Sequence, residues 1–301
     1  KAPVAAIVFA VEIFSLDLVF TSLVPLLLAS IAAVITSYFF RGTDVLFSFE
    51  LLDVWRVKDI IFYVFLGLAT GIASVYFSKM YFLITRFFGW FSNAYVKIGI
   101  AALAIGLMLY LFPPLYGEGY GLINNLLNGN TEVALSGIQY QIDFNNVWTV
   151  IAILLLIAVF KAIAMTTTFA AGGVGGIFIP TLFMGSALGN SVAKVINQFG
   201  FEVSESNFTL IGMTGLMAGV LHAPLTAIFL IAEITGGYDL FVPLMLVATI
   251  SFGFTKYFVP NSIYTAELAK RGELITKDKD KNALMMLNID RIIETDFIKI
   301  S

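Results

Sequence analysis

The chain has 301 residues, of which 59% are hydrophobic and 12% are charged, and its mean hydropathy of +0.93 is that of an integral membrane protein rather than a soluble domain. Its net charge of −3 gives no electrostatic basis for binding nucleic acid. Cysteine is absent and His222 is the single histidine, which excludes disulfides, thiolate metal sites and metal sites built from several histidines.

Hydropathy divides the chain into apolar segments of unequal length, separated by more polar stretches. We predict membrane spans or shorter apolar helices at residues 2–13, 17–40, 59–78, 98–112, 147–168, 177–197, 209–220, 223–235 and 239–258. Pro25 is expected to kink the second segment, and Gly67 and Gly71 are expected to interrupt the third. A mixed-charge loop is predicted at 41–58.

The connecting stretches differ in charge, and this difference predicts orientation. A predicted connector at 79–97 carries basic residues and no acidic ones, whereas residues 113–146 carry acidic residues and no basic ones. Because cytoplasmic loops are enriched in Lys and Arg, we expect 79–97 in the cytoplasm and 113–146 outside. Lys161 and the glycine-rich stretch after it then fall in the cytoplasmic half. We expect a prokaryotic cell membrane and a cytoplasmic C-terminus.

The stretch Gly172-Gly173-Val174-Gly175-Gly176-Ile177-Phe178-Ile179-Pro180 lies between two long apolar segments. Four glycines in five residues make a poor membrane helix, but they allow a bent backbone whose amides can approach a ligand. Pro180 fits the first turn of a helix that begins near Ile177. Such a helix start offers free amides and a positive dipole end to an anion. A glycine-rich helix-packing face is the alternative, and the stretch alone does not decide between the two.

Two short segments that start with proline repeat each other. Residues 1–13, KAPVAAIVFAVEI, match residues 222–234, HAPLTAIFLIAEI, and this pairing indicates a two-fold repeated transporter architecture. Each segment carries a carboxylate near its C-terminal end, Glu12 or Glu233, and an intramembrane carboxylate is a functional candidate by default. Since the carboxylate recurs in both repeats, a structural role has equal weight, either bonding backbone amides or capping a neighbouring helix.

Four separated motifs resemble the CLC family of chloride channels and chloride/proton exchangers, in the right order across about residues 1–270. Residues 176–180 resemble the family's central anion-binding motif. Ala223-Pro224-Leu225-Thr226, with Glu233, resembles its penultimate-helix region. Ser262-Ile263-Tyr264 resembles the segment of its pore tyrosine, and residues 2–12 resemble the helix that ends at its internal proton site.

The resemblance implies an all-α, polytopic membrane fold with an inverted repeat and tilted, broken helices. It also implies that Gly176, the backbone amides of Ile177 and Phe178, and the hydroxyl of Tyr264 hold a dehydrated chloride. Neutral donors of this kind bind a halide strongly enough to replace its water and weakly enough to release it. Tyr264 has an alternative role as an interfacial aromatic anchor.

The resemblance further implies a homodimer, with contacts within residues 2–37 and 222–257. We expect residues 1–270 to be the C-terminal part of the CLC membrane domain and residues 271–301 to be a cytoplasmic linker with the truncated start of a CBS domain. We expect no cofactor, chloride being ligand and substrate, and the family's serine loop and gating glutamate to lie upstream of Lys1.

One departure from the family pattern concerns the coupling of chloride to protons. The best-known bacterial exchangers carry a glutamate where this chain has Ile13, and isoleucine cannot carry a proton. The sequence therefore favours a channel, and the alternative is an exchanger that uses another proton route. A secondary transporter of another repeat fold, with Glu12 and Glu233 around a cation, is a further hypothesis. An enzyme is disfavoured because His222 has no readable catalytic partner.

Overall fold

The computed structural model describes residues 2–14, 20–42, 47, 55–138, 142–235 and 237–271. The predicted mixed-charge loop at 41–58 lies largely outside these residues, and so does the predicted linker and CBS segment except for Arg271. Every regular element within the described part is helical. The helices are α1 (Pro3–Phe14), α2 (Phe20–Arg41), α3 (Ile60–Gly89), α4 (Ala94–Leu111), α5 (Tyr120–Leu127), α6 (Thr131–Ala134), α7 (Val147–Ala170), α8 (Phe178–Gln198), α9 (Glu205–Leu221), α10 (Pro224–Ile234), α11 (Phe241–Phe258) and α12 (Ala266–Arg271).

Five helical stretches of the described chain are long and apolar enough to cross a membrane, and they confirm a polytopic membrane protein. They are Leu23–Phe40, Val57–Gly89, Ala94–Leu111, Val147–Ala170 and Phe241–Phe258. The second has 33 residues, more than the roughly 20 needed to span a bilayer, so it must tilt or project from the membrane. Helices α1 and α10 are apolar but too short to span.

Helix α9 forms the centre of the bundle. Its residues from Asn207 to Leu221 are all buried, and α3, α8, α10 and α11 surround it. A helix that is apolar all round belongs in such a position. Glycines bring α8 and α9 together, because a Cβ atom at Gly185 would lie 2.5 Å from the carbonyl oxygen of Gly212. This close approach of backbones is typical of membrane helix pairs.

The structure corrects the prediction for the third segment. Helix α3 continues to Gly89, so Lys79 and Arg86 belong to the helix and the connection to α4 is only residues 90–93. Gly67 and Gly71 do not interrupt the helix. Cβ atoms there would lie 2.9 Å from Ile250 and 3.0 Å from Phe254 of α11, so these glycines let α3 pack against α11.

Helices α1 and α10 form the pair that the sequence repeat indicates. Each begins at its proline, and the C-terminal end of each lies against the N-terminal start of the other, so the two helices are antiparallel. An antiparallel pair of equivalent segments is the arrangement of an inverted repeat.

Candidate functional site

The glycine-rich stretch is a break between two helices. Helix α7 ends at Ala170, and Gly172 adopts a left-handed conformation with φ of 95°. The Gly173 amide donates to the Thr168 carbonyl at 2.9 Å, which closes the last turn of α7. The chain then runs without helical structure until α8 begins at Phe178. The predicted break and the helix start near Ile177 are confirmed.

The start of α8 presents backbone donors that the helix does not use. Its first intrahelical bond runs from the Thr181 amide to the Ile177 carbonyl at 3.1 Å. The amides of Ile177, Phe178 and Ile179 therefore have no acceptor within the helix, and Pro180 has no N–H. These three donors lie at the positive end of the helix dipole, which is a favourable environment for an anion.

A cavity of about 640 Å³ adjoins this helix start. Helices α4 and α7, residues 115–118 and the break line it, and Gly175, Gly176 and Phe178 are among the lining residues. The ring of Phe178 also contacts Phe9 of α1 edge to face, with 6.4 Å between ring centroids. Irregular backbone at membrane depth is tolerated where it lines such a cavity.

Lys161 of α7 lines the same cavity and is a functional candidate that the sequence reasoning did not identify. Its side chain is 4% exposed, and its Nζ atom donates to the carbonyls of Leu115 at 3.0 Å and Gly117 at 2.8 Å. Nζ also lies 4.5 Å from the ring centroid of Phe183. Glu118, which is exposed, lines the cavity beside these carbonyls. A lysine within an apolar span was the available signal.

Tyr264 lies between α11 and α12 and is 39% exposed. Burial raises the pKa of its hydroxyl above the ordinary value, and nearby Tyr81 raises it further, so the group remains a neutral donor. The ring of Tyr81 lies 6.0 Å from that of Phe169, in the last turn of α7 just before the break. Tyr264 is not among the residues that line the cavity, and its contact with an anion stays a prediction.

The repeated carboxylates bond to each other's helices. Glu12 of α1 accepts hydrogen bonds from the Leu225 amide at 3.0 Å, the Thr226 amide at 2.7 Å and the Thr226 hydroxyl at 2.6 Å. Glu233 of α10 accepts from the amides of Val4 at 3.0 Å and Ala5 at 2.9 Å. Val4 and Ala5 are the repeat equivalents of Leu225 and Thr226. Each carboxylate caps the first turn of the other helix, as the structural alternative anticipated.

The single imidazole is at the turn between α9 and α10. His222 has a φ of 57°, which makes it the one non-glycine residue with positive φ in the described chain, and its ring meets the edge of Phe252 at 5.7 Å. Its Nε2 atom has no hydrogen-bond partner among the described residues. Within the described part of the chain, no hydrogen bond or ion pair joins this ring to a base, a nucleophile or a carboxylate.

The amino-acid sequence is similar to one family model and to proteins named as chloride channels. The family model described as voltage gated chloride channel matches residues 1–256. The chain is 28% identical over 276 residues to a ClcB-like protein of Ralstonia nicotianae, covering 90% of this chain and 59% of that protein. It is 25% identical to the voltage-gated ClC-type chloride channel ClcB of Salmonella typhimurium, covering 89% and 61%.

The structural comparisons agree in fold. A slow cyanobacterial Cl⁻/H⁺ antiporter superposes with a TM-score of 0.74 at 21% identity, covering 90% of this chain and 61% of that chain. A CLC-type fluoride/proton antiporter superposes with a TM-score of 0.66 at 21% identity, covering 87% and 60%. The present chain thus spans about 60% of the length of the relatives it matches.

Proposed function

Because the chain belongs to the voltage-gated chloride channel family, the CLC family, we propose that it provides the central anion site of a chloride-transporting membrane protein. The observation that carries this proposal is the start of α8, where Phe178 and Ile179, whose amides have no acceptor within the helix, line a cavity of about 640 Å³ and Ile177 lies directly before them. Together with Gly176 and the Tyr264 hydroxyl, these donors would replace the water of a halide ion. Neutral donors favour rapid release, which transport requires.

Lys161 supports the choice of an anion over a cation. Its full positive charge lies in the wall of the cavity, held by two carbonyls and an aromatic ring. In a region of low dielectric, such a charge attracts anions and repels cations over several ångströms. The exposed carboxylate of Glu118 offsets part of this charge near the same wall. A cation in the cavity would be repelled by the Lys161 ammonium, and the nearby Leu115 and Gly117 carbonyls already accept hydrogen bonds from that ammonium.

We propose that transport is channel-like, with an exchanger as the second candidate. The position of the internal proton glutamate is Ile13, and neighbouring Glu12 already accepts three hydrogen bonds. A carboxylate engaged in this way is a poor proton carrier. The exchanger is favoured by the two solved structures described above as proton antiporters. Proton uptake driven by a chloride gradient would establish exchange by a route that does not use residue 13.

We propose a homodimer in a prokaryotic cell membrane, with residues 1–270 in the membrane domain and the C-terminal residues 271–301 in the cytoplasm, beginning a CBS domain. Exposed apolar side chains support contacts within 2–37 and 222–257, for example Leu28, Ile35, Leu225 and Val242. Large exposed apolar surface of this kind is covered either by lipid or by a partner.

The test is anion flux into liposomes that contain the full-length protein. Replacing the Tyr264 hydroxyl by hydrogen, Tyr264→Phe, removes one donor to the anion, and we expect chloride flux or its selectivity over larger anions to change by about 10- to 150-fold, as for the loss of a hydrogen bond to a charged group. Tyr257→Phe is the matched control, because Tyr257 is an exposed tyrosine at the end of α11.

Two results would contradict the proposal. One is flux of fluoride or of a neutral solute without any flux of chloride. The other is equal behaviour of the Tyr264→Phe and Tyr257→Phe variants in both rate and selectivity, which would leave Tyr264 as an interfacial anchor.

A further inference from the structure

An apolar groove lies toward the other end of α7 and α8 from the anion cavity, since its α7 lining residues are Ile151 and Leu155 and its α8 lining residues begin at Leu188. It has a volume of about 510 Å³, within the range of small-molecule sites. Side chains of α3, α7, α8 and the turn after α8 line it: Phe62, Phe65, Ile151, Leu155, Val195 and Phe199 are among them.

The groove offers nothing to a polar ligand. Among the described residues that line it, Ser191 is the one with a polar side chain, and its hydroxyl already donates to the Ala187 carbonyl at 2.7 Å. Two of its walls, α3 and α7, are membrane-spanning stretches, so hydrocarbon chains are the medium around it. Phe65 and Leu155 are exposed along its edge, which shows that the groove is open on that side. Its contents must therefore be apolar.

One end of the groove continues into a polar site. The rings of Phe62 and Phe201 meet there at 4.9 Å, and the chain passes from Phe201 to Glu202. Glu202 lines a second cavity of about 250 Å³ together with Trp55, Arg56 and Asp59. An apolar groove beside a charged cavity with a tryptophan is the arrangement expected at a membrane–water interface.

The charges around this second cavity have both signs. Arg56 pairs with Asp59 at 3.1 Å and donates to the Glu202 carbonyl. The Glu202 carboxylate is exposed and has no ion-pair partner among the described residues, and the Arg56 side chain is 45% exposed. A ligand that complements this end carries a negative group for Arg56 and a positive, hydrogen-bonding group for Glu202.

We propose that this groove binds one bilayer phospholipid whose headgroup contains a phosphate and a primary ammonium, the phosphatidylethanolamine class. One acyl chain fills the groove between α3, α7 and α8. The phosphate contacts Arg56, and the ammonium contacts Glu202. A purely anionic headgroup leaves the Glu202 carboxylate unneutralised, and a quaternary ammonium cannot donate a hydrogen bond to it.

The test measures thermal unfolding of the detergent-purified full-length protein after addition of dioleoyl phosphatidylethanolamine, phosphatidylcholine or phosphatidylglycerol at equal mole ratios. A lipid that binds only the folded protein raises the unfolding midpoint, and we expect phosphatidylethanolamine to raise it by about 5 °C more than the other two. Val195→Trp fills the groove and should abolish this difference. Leu103→Trp is the matched control, because Leu103 is an exposed residue of the spanning helix α4 and lies outside the groove.

If the Val195→Trp variant does not fold, Glu202→Gln provides a second test. Glu202 is exposed, so its replacement by glutamine should not prevent folding. We expect this variant to respond equally to phosphatidylethanolamine and phosphatidylcholine. Equal shifts with all three lipids in the unmodified protein would mean that lipid contacts here are unspecific. A phosphatidylethanolamine preference that survives both Val195→Trp and Glu202→Gln would overturn the site.

Discussion

The reciprocal caps between α1 and α10 give the sharpest prediction. A glutamine at position 12 has one oxygen acceptor, and its NH₂ group cannot accept a bond. The Leu225 and Thr226 amides donate to different oxygens of Glu12, at 3.0 and 2.7 Å, so one of these two amides loses its acceptor in the Glu12→Gln variant. A hydrogen bond to a charged acceptor contributes about 1.5–3 kcal/mol, and the lost charge at the helix start adds about 0.3–1 kcal/mol.

Glu12→Gln is therefore expected to destabilise the protein by about 2–4 kcal/mol, as the sum of those two effects. Glu233→Gln is expected to cost a similar amount, because it leaves one of the Val4 and Ala5 amides without its acceptor. The double variant should cost less than the sum, since both sets of bonds join the same two helices.

The assay is denaturant or thermal unfolding of the purified variants, followed by chloride and proton flux in liposomes. Glu132→Gln is the control, because Glu132 is exposed on the short helix α6. We expect both cap variants to lose stability together while neither selectively removes proton movement. If Glu12→Gln abolished proton movement with unchanged stability, and Glu233→Gln had no effect, Glu12 would be a proton carrier and the capping argument would be refuted.

Two further predictions concern packing and coupling. Gly189→Ala should destabilise the fold by about 3 kcal/mol or prevent folding, because the new Cβ collides with the Phe208 carbonyl oxygen. The control is Gly106→Ala, which should be neutral or stabilising because a Cβ at that position meets nothing within 4 Å. Chemical denaturation of both variants measures the difference. Ile13→Glu should introduce chloride-driven proton uptake in liposomes that Ile13→Gln lacks. Proton uptake of equal size in the unmodified protein would show that residue 13 is not where coupling is lost.

The sequence predicted those features that depend on local chemistry. The break at the glycine-rich stretch followed from the density of glycine there, and the start of α8 followed from Pro180. The equivalence of Glu12 and Glu233 followed from the sequence repeat. Because both repeats carry the carboxylate, hydrogen bonding to backbone amides was one alternative, and a functional carboxylate was the other. Each of these conclusions needs only neighbours along the chain or a match between two segments.

Features that depend on contacts between distant parts of the chain could not be predicted from the sequence. Hydropathy ended the third segment at residue 78, yet α3 continues for eleven further residues to Gly89 because long basic side chains can extend away from apolar surroundings. The partners of Lys161 are carbonyls of a turn 44 to 46 residues earlier, which no spacing rule predicts. The groove beside α8 arises only where three separate helices meet.

The two halves of the α1–α10 pair are not identical. Thr226 adds a hydroxyl to the bonds that hold Glu12, whereas its repeat equivalent, Ala5, has only a methyl group to offer Glu233. Heat or substrate that strains the pair will therefore open the start of α1 before the start of α10. The two helix starts are therefore unequal, and the single hydroxyl oxygen of Thr226 decides which of them opens first.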